Sequence, residues 1–450
     1  MTASADASPG APRARAVTAV KALQVSNWLS RALGRGRGTV AGGRVGLAID
    51  PTLLSTLARG RPVALVTGTN GKTTTTRMLV AALSDGRGAV VVSNDTGANM
   101  PAGHVAALAG APAGAAAVLE VDEGYLGRLI EETAPKVVLL LNLSRDQMDR
   151  ISEVRMLVDR WRAALGRLRD GPGAGVEVPA TVVVANADDP MVTWAALAAP
   201  DVVWVGVGQV WHLDAVGCPA CGGRIHFDGA GSWACDRCGF ARPPRAAWLE
   251  RSELVLPGGE RFEMELGLPG QFNRANAAMA AVAAELMGAG PGRPGTSVPA
   301  EDLPAVLARL ASVDQVAGRF SSILRRGRSV RLLLAKNPAG WTAIFDLLEE
   351  EAGSGPPVVL SVNARTADGL DTSWLWDVPF ERLAGRSAVA TGDRRLDLAV
   401  RLRYAGVDAE VVVDPTDAVD RALGTAPGSS PLDVVGNYTA FADLRDRVGR

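Results

Sequence analysis

The stretch TGTNGKTT, from Thr67 to Thr74, follows the apolar run PVALV and precedes the helical pattern KTTTTRMLVAALS. A strand, a glycine-rich loop and a helix in this order place backbone amides, a helix N-terminus, an ammonium and a hydroxyl around a phosphate. Glycine-rich turns also follow strands that bind nothing, but this combination predicts a nucleotide site. Its expected binding residues are Gly68, Thr69, Asn70, Gly71, Lys72, Thr73 and Thr74, with Lys72 acting on the phosphates and Thr73 on magnesium.

Length and composition limit what surrounds this loop. A chain of 450 residues with 47% hydrophobic composition predicts two or three domains. A formal net charge of −1 without any Lys/Arg block disfavours a nucleic-acid binder. No apolar run reaches the length of a membrane span, and the N-terminus lacks the apolar region of a signal peptide. We therefore expect a cytosolic protein.

The order of strand and helix patterns predicts the domains. Residues 1–15 are rich in Ala, Pro and Ser and are predicted to be a disordered tail, followed by a helical and connecting segment at 16–60. This segment contains GRGRGTVAGG, which is either a loop or a piece that packs on the next domain. Over 61–310, apolar strands alternate with helices, which predicts an α/β domain with a parallel sheet. A second alternating series predicts a Rossmann-like domain at 315–445.

All four cysteines lie in two CxxC pairs separated by thirteen residues, CPAC and CDRC. The ligands Cys218, Cys221, Cys235 and Cys238 are expected to bind one structural Zn²⁺ in a ribbon inserted at 214–243. Four sulfurs leave no open position on the metal, so catalytic zinc is disfavoured; redox pairs are the weaker alternative. His212 and His226 flank the ribbon and are interpreted as surface residues.

The form GTNGKTT resembles the Mur ligase and folylpolyglutamate synthase superfamily, because its first glycine is displaced relative to the usual phosphate loop. The resemblance implies ATP and Mg²⁺, with Glu120 at the end of AAAVLE as a catalytic and magnesium-binding carboxylate. A solvent-exposed strand end is the alternative for Glu120. The segment NLSRDQMD from Asn142 resembles a superfamily motif, but this chain has Gln147 where the motif has a histidine. LPGQFNRAN would bring Asn273 and Asn276 to the adenine side of the nucleotide.

Beyond the central domain, LLLAKNPAGW, ADGLDTSWLWD and TGDRRLDLAVRLRYAG, together with the cysteine insert, resemble the MurT family. These proteins are Mur-ligase-like subunits of the two-component enzyme that amidates lipid II. The resemblance implies that ATP activates the α-carboxyl of D-glutamate in the lipid II stem peptide as an acyl phosphate. Ammonia would then convert it to D-isoglutamine.

With all four cysteines assigned to zinc, a cysteine glutaminase must be another chain, which the resemblance identifies as a GatD-type subunit. Membrane contact is expected only through the lipid-linked substrate at the inner membrane face, apart from a role for residues near Lys21. A stand-alone amino-acid-adding ligase and a non-enzymatic zinc-ribbon scaffold are the alternatives.

Two stretches of the C-terminal domain carry further candidates. In ADGLDTSWLWD, one of Asp368, Asp371 and Asp377 would support chemistry at the glutaminase contact, with Asp371 favoured as the third member of a triad. The alternative is a loop with Asx turns. If this piece is extended, Trp374 and Trp376 share one face and suit an interface.

The other stretch is AKNP, where Lys336 and Asn337 occupy the place of a superfamily turn that faces the nucleotide. A strand-end lysine in water is the alternative for Lys336. The resemblance favours a catalytic Lys336 and a nucleotide-binding Asn337.

Overall fold

The computed structural model describes residues 11–32, 39–84, 90–94, 97–145, 151–169, 180–209, 211–228, 231–288, 303–314, 320–351, 357–426 and 431–448. Three helices come first, and they are α1 (Ala11–Ala32), α2 (Thr39–Ile49) and α3 (Leu53–Ala58). The disorder predicted for residues 1–15 is therefore wrong from Ala11 onwards. The last five residues of GRGRGTVAGG belong to α2, because Gly42 lets this helix approach α1: a Cβ there would lie 2.0 Å from Asn27 Oδ1.

A mixed sheet forms the centre of the next domain. Its elements and those of the insert are β1 (Val63–Thr67), α4 (Lys72–Leu83), β2 (Val92–Ser93), α5 (Pro101–Leu108), β3 (Ala117–Glu120), α6 (Leu126–Thr133), β4 (Val137–Leu140), α7 (Ile151–Gly166), β5 (Val182–Asn186), α8 (Pro190–Ala196), β6 (Val202–Gly206), β7 (Ile225–Phe227), β8 (Trp233–Cys235), β9 (Ala247–Glu250), β10 (Glu253–Val255), β11 (Arg261–Glu263), α9 (Gln271–Gly288) and α10 (Leu303–Ala311). In the described residues the strand order is β11-β10-β9-β6-β5-β4-β1-β3-β2. Strands β1 to β6 and β9 run parallel to one another. The pairs β9–β10 and β10–β11 are antiparallel.

Both faces of this sheet are covered. Every residue of β1 is buried, as expected for a central strand with the sequence VALVT. Helices α4, α9 and α10 contribute to the core on one face, and α1, α3 and α5 to α8 contribute to the core on the other. The insert between β6 and β9 has its own small antiparallel pair, β7 and β8.

A second sheet forms the C-terminal domain. Its elements are β12 (Phe320–Arg325), β13 (Arg328–Leu334), α11 (Pro338–Glu351), β14 (Val358–Ser361), β15 (Ala388–Thr391), α12 (Arg395–Tyr404), β16 (Ala409–Val411), α13 (Pro415–Thr425), β17 (Leu432–Gly436) and α14 (Tyr438–Val448). The order of the described strands is β12-β13-β17-β14-β15-β16, parallel except for β12. The predicted fold class, a parallel-sheet nucleotide domain with a cysteine insert followed by a Rossmann-like domain, is confirmed.

In the part of the chain that the structure describes, no helix combines the length and apolar character needed to cross a bilayer.

Candidate functional site

The phosphate-binding loop predicted from the sequence joins β1 to α4. Gly71 is the N-cap of α4 and has a φ of 87°, in the left-handed region that favours glycine. A Cβ on Gly71 would also lie 2.4 Å from Asn276 Oδ1. The loop therefore passes directly against the start of α9, and Thr73 lies half-buried in the first turn of α4.

Lys72 is buried inside this loop. Its side chain is 6% exposed, and its Nζ donates to Gly68 O at 2.6 Å and forms an ion pair with Glu123 Oε1 at 2.6 Å. Glu123 lies in a short turn after β3, where its carbonyl accepts a hydrogen bond from Trp161 Nε1 at 2.9 Å. Glu123 was not identified from the sequence; the acidic run EVDE, which starts at the last residue of a buried strand, was the available signal.

Hydrogen bonds fasten the loop to the segment after β4. Thr69 Oγ1 donates to Ser144 O at 3.0 Å, and the amide of Asn70 donates to Asn142 Oδ1 at 2.9 Å. Asn142 Nδ2 donates back to Asn70 O at 3.0 Å. The beginning of NLSRDQMD thus supports the phosphate loop, whereas Gln147 lies outside the described residues.

Glu120 ends β3 next to the loop, in register with Val66 of β1. It is 4% exposed, so the interpretation as a solvent-exposed strand end is wrong. Its backbone is bound on both sides by the side-chain amide of Asn94, at 2.8 and 2.9 Å. A carboxylate at Glu120 and a hydroxyl at Thr73 are the oxygen donors that Mg²⁺ prefers, so these residues fit the predicted metal.

A buried histidine lies behind Glu120. His104 Nε2 donates to Glu120 O at 2.8 Å, and burial lowers the pKa of His104 to about 4. The ring is therefore neutral at pH 7, and its Nδ1 is buried without a hydrogen-bond partner among the described residues. Sequence reasoning missed His104 because a single histidine in PAGHVAAL carries no pattern.

A cleft of about 200 Å³ lies between the two domains beside the phosphate loop. Asn273 and Asn276, both buried at the start of α9, line it together with Asn70 and Gly71. The C-terminal domain contributes apolar residues to the opposite side, among them Phe320, Leu333 and Ile344. The structure therefore brings the predicted adenine-side asparagines next to the predicted phosphate loop.

The turn AKNP reaches this region from the C-terminal domain. Asn337 is 1% exposed, and its side-chain amide exchanges two hydrogen bonds with that of Asn70, at 3.3 and 3.2 Å. Asn337 Oδ1 also accepts from the amide of Gly340 at 2.9 Å at the start of α11. Lys336 precedes it, half-buried, two residues after the end of β13.

The four cysteines form one cluster, with all Sγ atoms within 4.8 Å of one another. Cys218 and Cys238 are 3.7 Å apart, and Cys221 and Cys235 are 3.6 Å apart. A tetrahedron with Zn–S bonds of about 2.3 Å has edges of about 3.8 Å, so the cluster fits a structural zinc ion. His226 is exposed, as predicted, but His212 is half-buried and stacks on Phe227 with ring centroids 4.0 Å apart.

The ribbon packs against the wall of the cleft. Trp233 Nε1 donates to Ala187 O at 3.0 Å, and Arg242 forms a buried ion pair with Asp188. Asp188 Oδ2 in turn accepts from the amides of Val207 and Gly208, at 2.8 and 2.6 Å. Because Val207 and Gly208 line the cleft, the ribbon supports one wall of it.

The stretch ADGLDTSWLWD is not extended, so that conditional interpretation is wrong. Residues Ser373–Trp376 form a 3₁₀ turn in which Trp374 is 6% exposed and Trp376 is 55% exposed. The two rings therefore do not share a face. Asp371 accepts from the amide of Ser373 at 2.8 Å, and this hydrogen bond lowers the pKa of its exposed carboxyl.

The other two aspartates have different contacts. Asp368 accepts from the amide of Thr439 at 2.9 Å and has a structural position between β14 and α14. Asp377 Oδ2 lies 3.4 Å from Arg145 Nη1, and Arg145 also pairs with Asp214 at the start of the insert. Arg145 therefore connects the central domain, the insert and the C-terminal domain.

Exposed apolar side chains lie next to Asp371 in the chain, on the turn that follows it and on helix α12. Trp376 packs edge-on against Tyr404 with ring centroids 5.4 Å apart. Leu396, Val400 and Tyr404 are spaced four residues apart on α12 and are all exposed. With Leu370 and Trp376 they form what we call the α12 face: Leu370, Trp376, Leu396, Val400 and Tyr404.

Known proteins share both domains. The MurT ligase C-terminal family matches residues 334–441, and the Mur ligase middle domain matches residues 66–216. The chain is 30% identical to the MurT subunit of lipid II isoglutaminyl synthase (glutamine-hydrolyzing) from Streptococcus pneumoniae (strain ATCC BAA-255 / R6), over 91% of this chain and 92% of the relative. It is 28% identical to the subunit of the same name from Staphylococcus aureus (strain COL), over 96% of this chain and 98% of the relative.

Solved structures agree on the fold. Mycobacterium tuberculosis folylpolyglutamate synthase complexed with ADP superposes with a TM-score of 0.58 at 18% identity, covering 98% of this chain and 99% of that chain. At this identity the likeness concerns the fold alone.

Proposed function

Because the chain belongs to the MurT family of Mur ligases, we propose that it amidates the α-carboxyl of D-glutamate in the lipid II stem peptide, giving D-isoglutamine. ATP supplies the activation, and a partner glutaminase of the GatD type supplies ammonia. The observation that carries the proposal is the phosphate loop at the edge of the interdomain cleft, with Lys72 buried inside it.

The reaction has two steps. A carboxylate oxygen of the substrate attacks the γ-phosphorus of ATP, and ADP leaves with the electrons of the broken P–O bond. Ammonia then attacks the carbonyl carbon of the acyl phosphate, phosphate leaves with the electrons of the C–O bond, and the nitrogen loses one proton. The chain contributes by positioning and by charge, which supply most of the rate in phosphoryl transfer.

Named residues support each part. Lys72 and the backbone amides at the start of α4 would bind the phosphates, and Asn273 and Asn276 would lie at the adenine side. Thr73 and Glu120 would bind Mg²⁺, which neutralises phosphate charge when present. Asn337 and Lys336 would contact the nucleotide from the C-terminal domain, and the hydrogen bond from Asn337 to Asn70 of the loop supports this.

The ammonia source must lie on another chain. All four cysteines of the sequence lie in the one cysteine cluster, where the predicted zinc ion would occupy them, so none is left as the nucleophile of a glutaminase. The α12 face is an exposed apolar surface of the kind that binds a partner, and Trp376 and Tyr404 are residue types enriched at interfaces. Asp371 beside it is exposed and stays ionised at neutral pH, as an aspartate that orients a partner's histidine must.

The experiment is ATP-dependent amidation of lipid II by the purified chain, with ammonium chloride or glutamine, each with and without a co-expressed glutaminase. We expect product from ammonium alone, and from glutamine only with the partner. ATP turnover with an added amino acid, but no amide under any condition, would support the stand-alone amino-acid-adding ligase instead.

Asp371→Asn separates the two activities. It should abolish glutamine-dependent amidation while preserving the ammonium-dependent reaction, because only the glutaminase step uses this carboxylate. If both activities fall equally, Asp371 stabilises the fold of the C-terminal domain and does not act at the contact with the glutaminase. Asp368→Asn is the matched control on the same loop, with a carboxylate that already binds Thr439.

A further inference from the structure

Helix α1 carries an exposed apolar face that lies outside the cleft. On α1, Val17, Val25 and Trp28 are 54%, 57% and 62% exposed. With Lys21 they follow each other at spacings of four, four and three residues, so they lie on one side of the helix. We call Val17, Lys21, Val25 and Trp28, with the neighbouring Leu29, the outer face of α1.

The opposite side of α1 already accounts for its packing. Ala16, Ala19 and Leu23 are buried in the core of the central domain. The close approach of α2 at Gly42 and the hydrogen bond from Arg15 Nε to Ile49 O, 2.7 Å long, fix the two helices together. The buried side of α1 therefore accounts for the packing of the helix on the domain, and the apolar residues of the outer face lie outside this core.

The charge of this part of the chain is one-sided. Residues 11–49 contain basic residues and no Asp or Glu, whereas the whole chain has a net charge of −1. The basic residues are Arg13, Arg15, Lys21, Arg31, Arg35, Arg37 and Arg44. A second copy of the chain would bring like charges together, which disfavours self-association through this face.

We propose that the outer face of α1 binds the surface of an anionic lipid bilayer. Apolar side chains enter the boundary between headgroups and acyl chains, tryptophan prefers this depth, and basic residues near the surface add about 1 kcal/mol each with anionic lipids. The face combines all three features. The proposal rests on the proposed function in one respect: a lipid-linked substrate gives the contact its purpose, since it keeps the enzyme where the substrate lies.

The test is co-sedimentation of the full chain with vesicles that contain no lipid II, so the result does not depend on the amidation reaction. We expect binding to phosphatidylglycerol vesicles, weaker binding in high salt, and little binding to phosphatidylcholine vesicles. Val25→Glu combined with Trp28→Glu should lower the partition coefficient on phosphatidylglycerol by about tenfold or more. Lys21→Glu should lower it to a smaller extent.

The matched control is Trp376→Glu, which removes an equally exposed tryptophan on the other domain and should leave vesicle binding unchanged. Because the substituted side chains are exposed, we expect the variants to fold. Thermal midpoints equal to that of the wild type would show that they do. Equal binding by all variants, or no preference for phosphatidylglycerol, would overturn the proposal. So would dimers of the wild type that Trp28→Glu dissociates, which would assign the face to self-association.

Discussion

Lys72 forms an ion pair with Glu123 and donates to the carbonyls of Gly68 and Thr69 in the loop, so its ammonium is held in place without a phosphate. Lys72→Ala should weaken ATP binding by about 10- to 100-fold, the equivalent of about 1.5–3 kcal/mol for hydrogen bonds to a charged group. Isothermal titration calorimetry measures this directly.

Lys136 is the matched control for that substitution. It directly precedes β4, at the end of that strand away from the phosphate loop, and its Nζ donates to Met287 O. Lys136→Ala should leave the ATP affinity unchanged. If Lys72→Ala also binds ATP normally, the loop has no nucleotide role and the scaffold alternative gains support.

His104 predicts a pH dependence of stability. Its pKa is about 4 in the folded chain against about 6.5 unfolded, so the unfolded state binds more protons between these values. The contribution of His104 to the free energy of unfolding is therefore fully present above pH 6.5. It is lost as the pH falls through 4, and the total loss is about 3 kcal/mol. His104→Gln should therefore make the thermal midpoint less dependent on pH between 7 and 4.5.

The exposed His226 serves as the comparison for His104. His226→Gln should leave the slope of the thermal midpoint against pH as it is in the wild type. A slope that His104→Gln does not alter would mean that carboxylates elsewhere in the fold cause the acid sensitivity.

At the scale of elements, the cysteine ribbon supports the cleft through Trp233 and Arg242. A chelator that removes the predicted zinc ion should lower the thermal midpoint by about 5 °C or more, because a ribbon with so small an apolar core needs the ion to fold. ATP affinity should fall with it, since Asp188 positions Val207 and Gly208. Calorimetry and a colorimetric zinc-release assay measure the two effects.

Arg242→Gln tests the same support without touching the metal ligands. It leaves the carboxylate of Asp188 buried without its ionic partner, which is strongly destabilising. We expect ATP affinity to fall by about tenfold while the zinc content stays the same. Arg224→Gln, an exposed arginine of the ribbon, is the control; equal effects of both would argue against a specific role for Arg242.

Elements were predictable from the sequence where local pattern and local contacts agree. The phosphate loop was predictable, because the strand, the glycines and the start of the helix follow one another directly in the sequence. Ser373–Trp376 was not, since a spacing of two residues between tryptophans suits a strand only if the backbone is extended, and here it forms a 3₁₀ turn. Helix α2 was missed because glycines normally disfavour helix, and only the packing on Asn27 explains Gly42.

For the whole molecule, Arg145 is one of the residues that join the two domains, together with the paired amides of Asn70 and Asn337. Asp377→Asn should reduce the ratio of glutamine-dependent to ammonium-dependent amidation by about fivefold, the equivalent of about 1 kcal/mol for a partly exposed ion pair. Asp377 ends the turn that carries Trp376, and Arg145 follows the segment that is hydrogen-bonded to the phosphate loop. Their ion pair therefore connects the turn at the α12 face with the phosphate loop.

Arg145→Gln and the double variant complete a double-mutant cycle for this pair. If the effects of Arg145→Gln and Asp377→Asn simply add, the two side chains do not act together. Contacts of this kind, like that between Lys72 and Glu123, join residues far apart in the chain. They could not be predicted from the sequence, because neither spacing nor composition records which loops meet at a sheet edge.

The parallel pairing of β6 with β9 gives the ribbon a further meaning. Two parallel neighbours cannot be joined by a tight turn, so the chain must travel back along the sheet between them. The residues from 207 to 246, ribbon included, are that return path. The ribbon is consequently part of the chain's route through its own sheet, and a deletion mutant would need a designed crossover of a dozen or more residues in its place.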